Sequence, residues 1–371
     1  AQPAEQTPPS PRSAPEPAER LSAEQASWRR ALERGASVAA RNVLGDGDTA
    51  AKSRDLAVCL LVVDGLPHER IWRHWAQRCE AEAGIRIKFY AHAHKPEKVE
   101  SPWLREALID EHFETKWGSV ELARAAAALF RAAVRDRSFD AEFAALASET
   151  CLPVAAPLEL EAALFLSTSP VKSWVAAFDE PDNGYAVDAQ WRKVHKALPA
   201  ACVWKAPQWL LLTRAHARLL SKAVDVEVKR AGDGRKGRET WRLFANVTAA
   251  DELFFPSVLA LCAELRRTGD DRVEAPRIHR RRLTWCDWSA GGRSPATLPH
   301  LTPALVARAR AEGCLFARKF PPDALQDPAH WDRLLAAAAA ESGRQTAAPG
   351  DAAVAAPSSS PPAAPTTTDE R

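Results

Sequence analysis

Between residues 55 and 65 the chain reads DLAVCLLVVDG, an unbroken apolar run that stops at Asp64-Gly65. A run apolar at every position, not at every second one, predicts a strand covered on both faces. LPHERIWRHWAQRCEAEAG follows with apolar residues at helical spacing, and Gly84 supplies its stop. IRIKFYAHAH predicts a second strand, and KWGSVELARAAAALFRAAVRD a long alanine-rich helix with one apolar face. FAALASETCLPV, PLELEAALFLST and WVAAFDE continue the succession, and QWLLLTRAHARLLSKAV (208–224) predicts a helix. Alternation of this kind favours an α/β domain with a mostly parallel central sheet and helices on both faces. Ligands of such sheets bind beyond the carboxyl ends of the strands. Asp64-Gly65, His92 to Lys95 and Ser148 to Pro153 are therefore the predicted rim.

The two ends of the chain read differently. Residues 1–54 are expected to form a Pro/Ala-rich stem with a short helix, residues 55–340 one large domain, and residues 341–371 a disordered tail. In the 371-residue chain, a 46% hydrophobic content and 13 Trp supply a sizeable core. The near balance of 50 basic and 48 acidic residues, a net charge of +2, argues against a general nucleic-acid partner. No apolar run reaches the length of a membrane span. The chain opens on Ala and contains no Met, so a signal or anchor ahead of residue 1 is expected to have been lost. Seven cysteines without a CxxC pair disfavour a zinc site, and Asn246-Val247-Thr248 is a possible glycan acceptor.

Candidate chemistry is sparse on residue patterns alone. In DELFFPSVLALCAEL, Thr248 stands three residues before Asp251, a capping-box spacing that predicts a helix start. Acids there complement the helix dipole; alternatively Glu252 is a general base at the sheet rim. In LFARKFPPDAL, Arg318 and Lys319 end an apolar strand, which suits a diphosphate clamp as well as a solvated basic pair. Asp46-Gly47-Asp48 looks like a metal-holding D-x-D but sits in a polar linker, and His92 and His94 share one strand face without a completing carboxylate. RAGDGRKGRET (230–240) reads as a solvated basic loop.

Seven stretches in order carry a resemblance. They are FYAHAHKP (89–96), WGSVELARA (117–125), SETCLP (148–153), VWKAPQW (203–209), DELFFPSVL (251–259), RRLTWCDWSAGG (281–292) and LFARKFPPDAL (315–325). Together they make the chain resemble the plant and algal branch of the core-2/I-branching β-1,6-N-acetylglucosaminyltransferases. The resemblance implies a GT-A-like fold and an inverting transfer of a sugar, N-acetylglucosamine or glucuronic acid, from a UDP-sugar to a glycoprotein glycan. It implies no divalent metal and no other cofactor, and a Golgi-lumen enzyme held to the membrane through an anchor absent from this chain.

Residue by residue, the resemblance makes Glu252 the catalytic base and Lys319 the diphosphate-binding lysine, helped by Arg318 or Arg293. It places Val63, Asp64, Gly65, His94 and Lys95 against the nucleotide, with Glu114 and Trp117 near another such position. Trp285 and Trp288 are expected to wall the late segment against the sheet, and Asp287 with Gly291-Gly292 to shape the approach to the donor. The chain departs from the family at Leu253, at Ala206-Pro207 and at Ala290 to Ser294. These departures leave room for a second expectation, a non-catalytic glycan- or nucleotide-binding protein on the same scaffold.

Overall fold

A computed structural model describes residues 53–346 apart from 167–170, 179–193, 195–197, 199, 226, 229–237, 268–271 and 290–293. The stem with its short helix, Asp46-Gly47-Asp48, most of the basic loop, Arg293 and the tail past residue 346 lie outside the described residues.

Strand β1 (Asp55–Val62) is buried at all eight positions, as its continuous apolar run requires. It pairs in parallel with β2 (Arg86–Ala93) on one side and β3 (Phe143–Ser148) on the other. Beyond β3 lie β6 (Leu211–Thr213), β5 (Ser173–Trp174) and β7 (Ile278–His279), giving the order β7-β5-β6-β3-β1-β2. Only β6 runs against its neighbours. A small second sheet joins β8 (Thr284–Cys286), β9 (Phe316–Arg318) and β4 (Leu152–Pro153), with β9 parallel to β8 and antiparallel to β4.

Alternation along β1 divides the core in two. Ala57, Cys59 and Leu61 face one hydrophobic cluster, which also takes in α3 (Val120–Arg135), α5 (Arg214–Ala223) and α6 (Ala250–Leu261). Leu56, Val58, Leu60 and Val62 face the other, filled by α1 (Glu69–Ala83), α2 (Pro102–Glu106), α4 (Pro157–Leu164), α7 (Pro303–Ala311) and α8 (Pro328–Thr346). A mixed α/β fold with a mostly parallel sheet between two helical layers is thus the architecture that the sequence pattern predicts.

Two local expectations are corrected. The stretch 208–224 is not helical throughout: Leu211 to Thr213 form β6 before α5 begins. Leu211 and Leu212 are fully buried beside β3, and a short apolar run fits a core strand as well as a helix. The Thr213 side chain then accepts from the His216 N–H and caps α5. The helix start that the Thr248–Asp251 spacing predicts is met, but Ala249 and not Thr248 stands at the N-cap. Ala249 has φ 56°, and its side chain makes no capping bond. The Ala250 N–H instead donates to the Gly118 carbonyl at 3.1 Å, so a neighbouring chain segment satisfies an end group that a cap would otherwise take.

Candidate functional site

Glu252 is the one residue of α6 that is not buried. The helix is apolar almost all round, because it runs through the core between α3 and α5. Glu252 stands at its third position, with 23% of the side chain exposed, and its Oε2 lies 3.0 Å from the Lys205 ammonium. Lys205 itself is 5% exposed. Burial lowers its pKa, and the Glu252 carboxylate pulls it back up. Next to this pair Asp251 is 7% exposed and its Oδ1 has no hydrogen-bond partner. Burial, and then the charge of Glu252, raise Asp251 from 3.8 to about 7.

Arg318 and Lys319 emerge at the end of β9, half-buried. The Arg318 guanidinium lies 4.2 Å from the centre of the Trp209 ring, within cation–π distance, and reaches Thr150 Oγ1 at 3.5 Å. Its Nε is buried without a partner, and a buried orphan N–H is costly unless something accepts from it. Glu149, at the end of β3, feels the charges of Arg318, Lys319 and Asp64; burial raises its carboxyl and the two cations oppose that.

Strand register brings the carboxylate and the cations to one rim. Because β6 is antiparallel to β3, with Ala145 opposite Leu211, the chain running back from Leu210 passes the carboxyl end of β3. Five residues of that segment, 205 to 209, begin at the partner of Glu252 and end at the partner of Arg318. Four residue steps of even fully extended chain span only about 13–14 Å.

The other predicted residues close the circuit. Lys95 N–H donates to the Val63 carbonyl at 2.7 Å and His94 N–H to that of Val62 at 2.9 Å. Val63 and Asp64 are exposed and Gly65 is partly covered. His94 Nδ1 lies 3.4 Å from Thr115 Oγ1, which attaches the loop carrying Glu114 and Trp117. Glu114 is exposed and Trp117 is 65% exposed. The next residue, Gly118, packs against Ala249, whose carbonyl accepts from the Glu252 N–H at 3.0 Å. The described candidates are therefore linked, segment to segment, around the carboxyl end of the sheet.

Several expectations sort differently. His92 is a spacer: it is buried, stacks on His112 at 5.4 Å, and its Nε2 accepts from Phe113 N–H at 2.9 Å. Burial takes its pKa down to about 4, so it is neutral. Among the described residues no group of three or more His, Cys, Asp or Glu could hold a metal. Trp285 is structural, 4% exposed with its N–H on Glu312 at 3.0 Å. Trp288, expected to share that wall, is instead 45% exposed, since Asp287 turns the chain by accepting from the Ser289 N–H. Burial pushes the Cys79, Cys286 and Cys314 thiols to about 12, which removes them from nucleophilic chemistry.

Residue patterns gave no chemistry to Lys205, Trp209 or Glu149, although all three sit in quoted stretches. The one signal available was a lysine between Trp204 and Ala206 in an otherwise apolar segment. Comparison with known proteins supplies the remaining finding. A model of the Core-2/I-Branching enzyme family matches residues 88–309, which include Glu252, Lys205 and Trp117 and stop short of Arg318. No curated protein matches the chain.

Proposed function

From the premise that this chain belongs to the core-2/I-branching enzyme family, a family of GT-A-like glycosyltransferases, we propose an inverting, metal-independent transfer. The donor is a UDP-sugar carrying N-acetylglucosamine or glucuronic acid, and the acceptor is a hydroxyl of a glycoprotein glycan. The observation that carries this reading is the exposure of Glu252 alone on an otherwise buried helix, on the rim that also holds two cations.

Glu252 takes the proton of the acceptor hydroxyl while that oxygen attacks the anomeric carbon. The bond to the UDP oxygen breaks on the opposite face, which inverts the centre. A positioned base contributes about 10²–10⁴-fold. Lys319 and Arg318 hold the diphosphate as its charge grows. Val63 to Gly65, His94 and Lys95 form the nucleotide side of the crevice, and Arg293 is assigned to the diphosphate on the resemblance alone. Glu114 and Trp117 flank the donor from the loop before α3. The setting is the Golgi lumen.

The test is a panel of UDP-sugars with galactose-containing acceptors, followed by UDP release. The expected result is release that depends on acceptor, survives a chelator, and falls at least about 10²-fold in Glu252→Gln while UDP still binds. UDP binding without turnover over the whole panel would favour a binding protein on this scaffold.

A further inference from the structure

Lys205 is placed to do more than close an ion pair. Taking an ammonium out of water costs about as much as its partner returns, so a pair like this gives little net stability. An apolar side chain would pack in the same space without that cost. Yet the chain on both sides of Lys205 is stitched to α6. Ala206 N–H donates to the Glu252 carbonyl at 2.9 Å. Trp204 N–H donates to Ser257 Oγ at 3.1 Å, and Ser257 Oγ donates back to the Trp204 carbonyl at 3.2 Å. Three consecutive residues thus grip the helix that presents Glu252, and the middle one grips the carboxylate itself.

Resting on the reading of Glu252 as the base, we propose that Lys205 is the positioning residue of the transfer. Its ammonium fixes Oε2 of Glu252 at 3.0 Å, which leaves Oε1, the other oxygen of a side chain that is 23% exposed, to receive the acceptor's proton. The acceptor O–H bond breaks toward Oε1, and the oxygen forms its new bond to the anomeric carbon. The bond to the diphosphate breaks with its electron pair. Lys205 keeps its three protons throughout, and Glu252 returns its one to solvent when product leaves.

Among the described residues, the charges that bear on the Lys205 ammonium are those of Glu252 and Asp251, both on α6. Arg280, which precedes β8, lies over the neighbouring Trp204 ring, 5.9 Å from its centre, and donates to the Ala177 carbonyl. Burial is the largest influence on the Lys205 ammonium and lowers it. The clamp therefore lets go on the alkaline side at a lower pH than an ordinary lysine would. Arginine in its place keeps its proton across that range.

The test measures kcat and KM against pH for the unmodified chain, Lys205→Arg and Lys205→Met. In Lys205→Met, kcat falls about 10-fold or more, a share of what a positioned base contributes, while donor KM stays within about two-fold. In Lys205→Arg much of kcat returns, and the alkaline fall moves to higher pH. Unchanged kcat in Lys205→Met, or an alkaline fall at the same pH in Lys205→Arg, overturns the proposal. A second arm needs no turnover and no Lys205→Met protein. With ¹⁵N-labelled lysine, the Lys205 signal, assigned by its loss in Lys205→Arg, titrates at lower pH in Glu252→Gln than in the unmodified chain. Equal titration in the two overturns the pairing. Absence of transfer from every UDP-sugar by the unmodified chain instead overturns the proposed function, and the role of Lys205 in it, whatever the titration shows.

Discussion

At the scale of single residues, two acids side by side on α6 have opposite fates. Glu252 reaches solvent and a cation; Asp251 is sealed, with one oxygen unpartnered. Adjacent helix positions point in different directions, so the split itself is legible in the sequence. Which acid faces outward is not, because the choice depends on how α6 is rolled between α3 and α5. The sealed acid has a consequence for stability. With its pKa raised from 3.8 to about 7, folded Asp251 keeps a proton that the unfolded chain has already released between those values. Its contribution is complete below about pH 4 and is lost as pH rises toward 7, by at most about 1.4 kcal/mol per unit. Asp251→Asn stays neutral throughout, so this share of the slope should vanish and the variant should gain on the native chain as pH rises to 7. Thermal unfolding across that range checks it; a pH profile identical in the two proteins contradicts it.

At the scale of elements, the long periodic signals read true and the short ones did not. The eight buried residues of β1 and the amphipathic α3 follow directly from their patterns. By contrast β6 is three residues of an apolar run that passes directly into a helix, and local pattern cannot separate the two. The start of α6 shows a further limit. A capping box was readable from Thr248 and Asp251, yet the helix is instead braced by the turn before α3, and such long-range bracing leaves no local trace. That brace gives a prediction. Gly118 has φ +66°, and a Cβ there would lie 3.0 Å from the Ala249 backbone nitrogen. Gly118→Ala should cost about 1–2 kcal/mol for the left-handed backbone alone, and more for the contact. It should also lower kcat, since the displaced segment sets the start of the helix bearing Glu252. Chemical unfolding and turnover measure the two effects; native-like values of both would show that the brace is unimportant.

At the scale of the whole molecule, the sheet separates two kinds of charge. At the amino ends of β1 and β2, Asp55 and Arg86 pair with each other. At the carboxyl ends, Arg318 and Lys319 stand near Asp64 and Glu149 with an orphan guanidinium N–H among them. The position of this rim was legible from the alternation of strands and helices, and the family's motifs single out Glu252 and Lys319 as its candidates. The chain segment joining them, 205 to 209, was not, because it matters through the antiparallel register of β6 that the pattern missed. The proposed transfer requires that the rim bind the leaving diphosphate through Lys319 and do its chemistry through Glu252, as two separable jobs. The most direct measurement is thermal unfolding with and without UDP in the presence of a chelator. A ligand of the native state must raise stability, so UDP should raise the Tm of the unmodified chain and of Glu252→Gln alike, and raise that of Lys319→Ala far less. Equal protection of Lys319→Ala, or no protection of the unmodified chain until a divalent metal is added, would contradict it.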